Sequence, residues 1–218
     1  MNTYIFIDGG ESFVTHDQYL NWISTTAVEW NLAPVTITDK QKKWKSELAS
    51  KLIAQWDLVY IPDFPNPQNA KYNEWKLFFE TWIDRIEIVW SLTLIGHSLG
   101  GNFLVKYFGE IEKYNDNPEI STQEKINLLF LQNIHLVAAC ISEWDFTTPE
   151  NYDFLRSLGT KVHIWHAEDD SMVPYAIAKE LEKELPNAQT HFFDSSKWYG
   201  HFFPLAVFPE FEDVLMPK

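Results

Sequence analysis

The chain has 218 residues, 45% hydrophobic and 22% charged, which suits one globular domain with a sizeable core. Its 17 basic residues face 31 acids, a formal charge of −14, which argues against a nucleic-acid binder and against attachment to an anionic membrane surface. A single cysteine, Cys140, excludes an internal disulfide and fits a reducing, cytoplasmic setting.

In chain order, Thr3 to Ile7 is β-branched and aromatic and predicts a buried strand. It lacks a basic lead-in and is too short for a signal peptide, and no apolar run approaches a membrane span, so a soluble protein is expected. Asp8-Gly9-Gly10 breaks the strand. His16 to Trp30 predicts a helix with Thr15 as its N-cap. Pro34 to Thr38 predicts a short strand, and Thr38 or Asp39 caps a second helix running to about Gln55. Leu58 to Ile61 is the next strand, ended by Pro62, Pro65 and Pro67. From Asn69 or Ala70 to Trp90 the pattern is a long helix with an aromatic stripe.

Leu92 to Ile95 then alternates as a strand, and Asn102 to about Gly109 reads as a helix. Glu110 to Gln123 is polar and contains Pro118, as a surface insertion would. Glu124 to Leu131 predicts a helix, His135 to Ile141 a strand, and Tyr152 to Leu158 a short helix stopped by Gly159. A strand over Lys161 to Trp165, a helix over Pro174 to Leu185, a last strand over Gln189 to Phe193 and a terminal helix over Glu210 to Leu215 complete the series. This alternation predicts an α/β protein, a three-layer α/β/α sandwich on a mainly parallel sheet of about six strands, in one domain over 1–218.

Between the strand at Leu92 and the helix from Asn102 stands Gly96-His97-Ser98-Leu99-Gly100. A Gly-x-Ser-x-Gly in that context is a nucleophile elbow: a strained turn lifts the serine above the sheet, and glycines spare the neighbouring backbone a Cβ. A serine nucleophile needs a base, and the base needs an orienting acid. In the expected chain order, the acid lies in Glu168-Asp169-Asp170-Ser171-Met172-Val173-Pro174, just past a strand end. Asp170 stands in Asp-x-x-Val-Pro and is preferred on register, with Asp169 and then Glu168 as alternatives. The histidine is His201, on a Gly200-bearing loop after the last strand; His97, His135, His163, His166, His191 and His16 lack that placement. The oxyanion donors expected are the N–H of Leu99 and that of Gly10 or Gly9. His163 and His166, three apart on a strand, face opposite sides, so neither metal nor cofactor chemistry is expected.

These residues resemble the α/β-hydrolase superfamily over essentially the full chain. More narrowly they resemble the small lidless group of the retinoblastoma-binding serine hydrolase and its bacterial esterase-like relatives. The matching segments are Tyr4-Ile5-Phe6-Ile7, Gly96 through Gly101, Asp169 through Pro174 and Gly200-His201-Phe202. The segment from Ile61 through Trp75 also fits, with its prolines and then a helix bearing a tryptophan near its start. The resemblance implies a compact sheet and the triad Ser98, Asp170 and His201. One departure stands out: that group carries His-Gly after the first strand, where this chain has Asp8-Gly9-Gly10. A carboxylate aimed inward there would oppose an oxyanion.

With no lid-like segment, a small open pocket for short or medium acyl groups is expected. Its candidate walls are Phe13, Phe64, Trp144, Phe146, Met172 and Phe202. The expected partner is a small acyl substrate and the expected activity a carboxylesterase. A peptidase, amidase or acyltransferase with the same triad, or a degenerate hydrolase that binds protein, are the alternatives.

Overall fold

The computed structural model describes residues 1–22, 24, 43–86, 88–114, 130–141, 145–149, 151–203 and 205–217. Six parallel strands form one sheet: β1 (Thr3–Ile7), β2 (Leu58–Tyr60), β3 (Leu92–His97), β4 (Leu131–Val137), β5 (Val162–Ala167) and β6 (Gln189–Phe193). Their spatial order is β2-β1-β3-β4-β5-β6. The chain therefore lays β2 on one side of β1 and then crosses back to lay β3 on the other. In open parallel sheets, such a reversal opens a crevice at the carboxyl ends of the two strands, where ligands bind. Here that crevice lies between Asp8-Gly9-Gly10 and Ser98.

The described helices are α1 (His16–Trp22), α2 (Trp44–Ala54), α3 (Tyr72–Ile83), α4 (Leu99–Tyr114), α5 (Asp153–Leu158), α6 (Tyr175–Glu184) and α7 (Pro209–Leu215). Side chains alternate across each strand, so every strand feeds two cores. Ile5, Ile7, Leu94, Ile134, Leu136, Val162 and Ile164 meet Trp75 and Phe79 of α3, Phe103 and Phe108 of α4, Leu155 of α5 and Leu181 of α6. Tyr4, Phe6, Ile95, Val137 and Trp165 meet Trp44, Leu48 and Leu52 of α2 and Phe211 of α7. This is the expected three-layer arrangement.

Several boundaries differ from the sequence pattern. The strand at 34–38, the caps Thr38 and Asp39, and most of the helix at 124–131 lie outside the described residues. The cap at Thr15 is present: its hydroxyl accepts from Gln18 N–H (3.2 Å) while the Gln18 side chain accepts from Thr15 N–H (3.1 Å), a reciprocal capping box. Helix α3 ends at Ile83 rather than Trp90, because Arg85 N–H closes onto the Trp82 carbonyl (3.0 Å) and the chain turns back to start β3. Helix α4 begins at Leu99, three residues early, because the Ser98 carbonyl already accepts from Gly101 and Asn102. Strand β4 occupies 131–137 instead of 135–141: pairing of Leu131 with Leu92 sets its start, and Ala138, at φ 44°, ends it.

Candidate active site

The turn from β3 to α4 puts Ser98 at φ 55°, in the left-handed region that a residue with a Cβ adopts only under strain. Its N–H is held by the Val137 carbonyl (2.9 Å) and its own carbonyl starts α4. The glycines of the motif make room for this turn. A Cβ on Gly96 would lie 2.6 Å from the Gly100 carbonyl oxygen, and one on Gly100 would overlap the Ile7 carbonyl of the neighbouring strand. On the other side of the crevice, a Cβ on Gly9 would lie 2.8 Å from Ser98 Cβ, so only glycine lets the loop after β1 pass beside the serine. Among the described residues no backbone hydrogen bond engages the N–H of Gly9, Gly10 or Leu99.

The loop after β5 delivers the acid. Asp170 Oδ1 accepts from the N–H groups of Met172 (2.8 Å) and Val173 (2.9 Å), which orients the carboxylate. Its Oδ2 lies 2.8 Å from His201 Nδ1, and its side chain is fully shielded from solvent. Burial pushes the Asp170 carboxyl up, but the hydrogen bonds from His201, Val173 and Met172 outweigh it and hold the group below its usual value. Asp169 points differently: its carboxylate accepts from Gly200 N–H (3.1 Å) and anchors the loop that bears the histidine. The two acids therefore divide the work, one on the ring and one on the backbone beside it. His166 lies near the pair, with Nε2 3.8 Å from Asp170 Oδ2, but that nitrogen is bonded to the Val173 carbonyl (3.0 Å).

His97, just before the serine, is buried, and its ring stands 4.9 Å from that of His201. Its Nε2 meets the His201 carbonyl at 2.8 Å and its Nδ1 meets Lys45 Nζ at 3.1 Å. Burial first, then the nearby Lys45, drive the His97 pKa well below the usual imidazole value. Lys45 also ion-pairs with Asp8. The Asp8 charge that looked unfavourable in the sequence is thus matched by a lysine from the start of α2.

Ser98, His97 and His201 line a cavity of about 720 Å³ together with Asp8, Gly9 and Gly10. Among the described residues no hydrogen bond joins Ser98 Oγ to His201. Of the expected wall residues, Met172 lines this cavity. Phe64, Phe146 and Phe202 do not: Phe64 packs on Trp75 and Phe103, Phe146 on Tyr72 and Trp75, and Phe202 on Phe193 and Phe208. A large ring next to a strand end gains more by completing a core than by facing an open crevice. Phe13 is buried against Tyr19, and Trp144 lies outside the described residues. The apolar walls come instead from Trp44, Ile61, Pro67 and Phe203. Sequence reasoning missed these and Lys43, Lys45 and Ser46, since nothing local shows that α2 starts at the crevice. Among the described residues no group of three or more His, Cys, Asp or Glu side chains is arranged to hold a metal ion, and no helix is long and apolar enough to cross a membrane.

By sequence, no protein-family model and no curated protein matches the chain. By structure, it is similar to the ydeN gene product of B. subtilis, with 16% identity over 99% of this chain and 97% of that one, at a TM-score of 0.59. It is also similar to a putative YdeN-like hydrolase from Pectobacterium atrosepticum, with 12% identity, coverage of 100% and 94% and a TM-score of 0.57. A lipase-esterase related protein from Clostridium acetobutylicum matches at 11% identity, coverage of 98% and 93% and a TM-score of 0.50.

Proposed function

The chain has the fold of the α/β-hydrolases, and we propose that it is a serine hydrolase of small carboxylic esters. The observation that carries this is the 2.8 Å contact between His201 Nδ1 and Asp170 Oδ2, on the same cavity as a strained Ser98. In this reading Ser98 Oγ attacks the acyl carbonyl and its proton passes to His201 Nε2. Asp170 keeps the Nδ1 proton in place and stabilises the imidazolium. The N–H groups of Leu99 and of Gly10 or Gly9 receive the developing oxyanion. The imidazolium then protonates the leaving alkoxide. Water, deprotonated by His201, attacks the acyl-serine, and the acid departs with Ser98 restored. A cavity of about 720 Å³ is of ordinary size for a small-molecule site and accommodates short to medium acyl groups.

The test is intact-mass analysis after treatment with a fluorophosphonate, which reports a serine activated by its base. One adduct on the wild type and none on Ser98→Ala is the expected result. No adduct on folded wild type sinks the proposal and turns attention to protein binding.

A further inference from the structure

We propose that Lys45 is a positioning residue for the catalytic histidine, acting through His97, and that Asp8 serves to hold Lys45. The role rests on the Ser98–His201–Asp170 reading above. Lys45 stands in the first turn of α2, with its side chain 15% exposed. Its ammonium meets the Asp8 carboxylate on one side and His97 Nδ1 on the other, the latter at 3.1 Å. An ammonium can only donate, so His97 Nδ1 must accept and the ring proton must sit on Nε2. At the far end of the ring, Nε2 faces the His201 carbonyl at 2.8 Å, an oxygen that can only accept. Both ends of the imidazole therefore demand the same neutral tautomer. The result is one line of contacts, Asp8–Lys45–His97–His201, that ties the loop after β1 and the start of α2 to the backbone of the catalytic histidine. Because His97 precedes Ser98, the same line fixes the serine relative to its base.

The tautomer has an electrostatic consequence. A protonated His97, in ring contact with His201, would oppose the imidazolium that forms when His201 takes the serine proton. Lys45 occupies the nitrogen that would accept that proton, and Asp8 offsets the lysine charge. The groups facing His97 are Lys45 and Lys43 at the start of α2, His201 from the loop after β6, and Asp8 through Lys45, with the Trp44 ring edge-on at 6.4 Å.

The experiment uses the full chain labelled with ¹⁵N-histidine, with p-nitrophenyl acetate as substrate, comparing wild type, Lys45→Met and Lys45→Arg. In the wild type, His97 is expected as the Nε2–H tautomer, without titrating near the usual imidazole value. In Lys45→Met, His97 keeps its Nε2 proton towards the His201 carbonyl, but its freed Nδ1 is expected to take up a second proton in acid, and the kcat profile gains an acid-side ionisation. There kcat falls about tenfold with KM unchanged, the size of one lost charge-assisted hydrogen bond. Lys45→Arg, which keeps a cation and its donors, keeps Nδ1 occupied and restores the non-titrating ring and most of kcat. A wild-type His97 that is Nδ1–H, or that titrates as a free imidazole, overturns the proposal whether or not the variants fold. So does a folded Lys45→Met that keeps full kcat, or that loses kcat while its His97 spectrum stays as in wild type. A wild type with the fixed tautomer that neither turns over ester nor labels at Ser98 overturns the hydrolase reading itself, and the positioning role with it.

Discussion

Two sets of histidines lie on the α2/α7 side of the sheet under opposite conditions. At the carboxyl ends of the strands, His201 has a buried carboxylate at 2.8 Å. In mid-sheet, His135, His163 and His191 have one another, Trp165 and Phe211 as ring neighbours, and no ion pair with a carboxylate among the described residues. The His135 and His163 rings sit 4.3 Å apart on paired strands, His163 Nδ1 meets His191 Nε2 at 3.1 Å, and His191 stacks on Trp165 at 3.6 Å. Trp165 Nε1 donates to His135 Nδ1 (3.1 Å), and His135 Nε2 is buried without a hydrogen bond among the described residues. Burial and ring neighbours force this set towards the neutral form: His135 lies well below the usual imidazole value, His163 falls to about 4, and His191 is lowered by burial. The same side chain is a carboxylate's partner at one place and a flat packing ring at the other, according to whether a carboxylate faces it.

The comparison breaks most sharply at Asp170. Asp170→Asn keeps the shape but removes the charge that stabilises an imidazolium, so ester hydrolysis is expected to fall by roughly 10⁴-fold, as in serine triads generally. A kcat within tenfold of wild type would show that His201 does not depend on its acid.

The mid-sheet set should announce itself through acid sensitivity. A histidine held at a lowered pKa in the fold stabilises it fully above the unfolded value of about 6.5, and that stability is lost as pH falls through the folded value. For His163 the window runs from about 6.5 down to about 4. Thermal scans should therefore show the melting temperature falling by roughly 3 to 8 °C from pH 7 to pH 4.5, with a smaller fall in His163→Leu. Equal falls in both proteins would mean that the ring ladder does not govern acid stability.

The smallest expected effect is at Asp169, whose carboxylate accepts from the Gly200 N–H beside His201. Asp169→Ala should lower kcat by roughly threefold to tenfold, the value of one hydrogen bond of about 1 kcal/mol, leaving the pH profile unaltered. A loss as deep as that of Asp170→Asn would make both acids part of the proton path.

Much of this was legible in the residues. Strand β6 has the expected bounds, 189–193, and the helix after Pro174 and the stop at Gly159 stand where local chemistry puts them. The elbow was readable because its glycines, its serine and its flanking periodicities are all local. Asp170 and His201 were readable as candidates from strand ends and chain order. The pocket was not. Phe64, Phe146 and Phe202 read as pocket walls but fill the cores, while Trp44 and Phe203, with no distinguishing pattern, face the cavity.

What the sequence determined by itself is what depends on neighbours along the chain: the alternation of strands and helices, the parallel sheet it implies, and the turn that strains Ser98. What the tertiary structure decided is what depends on neighbours across it. It joined Asp170 to His201 over 31 positions and split the work of two adjacent acids. It also brought Lys45 to Asp8 over 37 positions and to His97 over 52. Charge pairing over such distances leaves no periodicity in the sequence, because only the order of the strands brings the partners together.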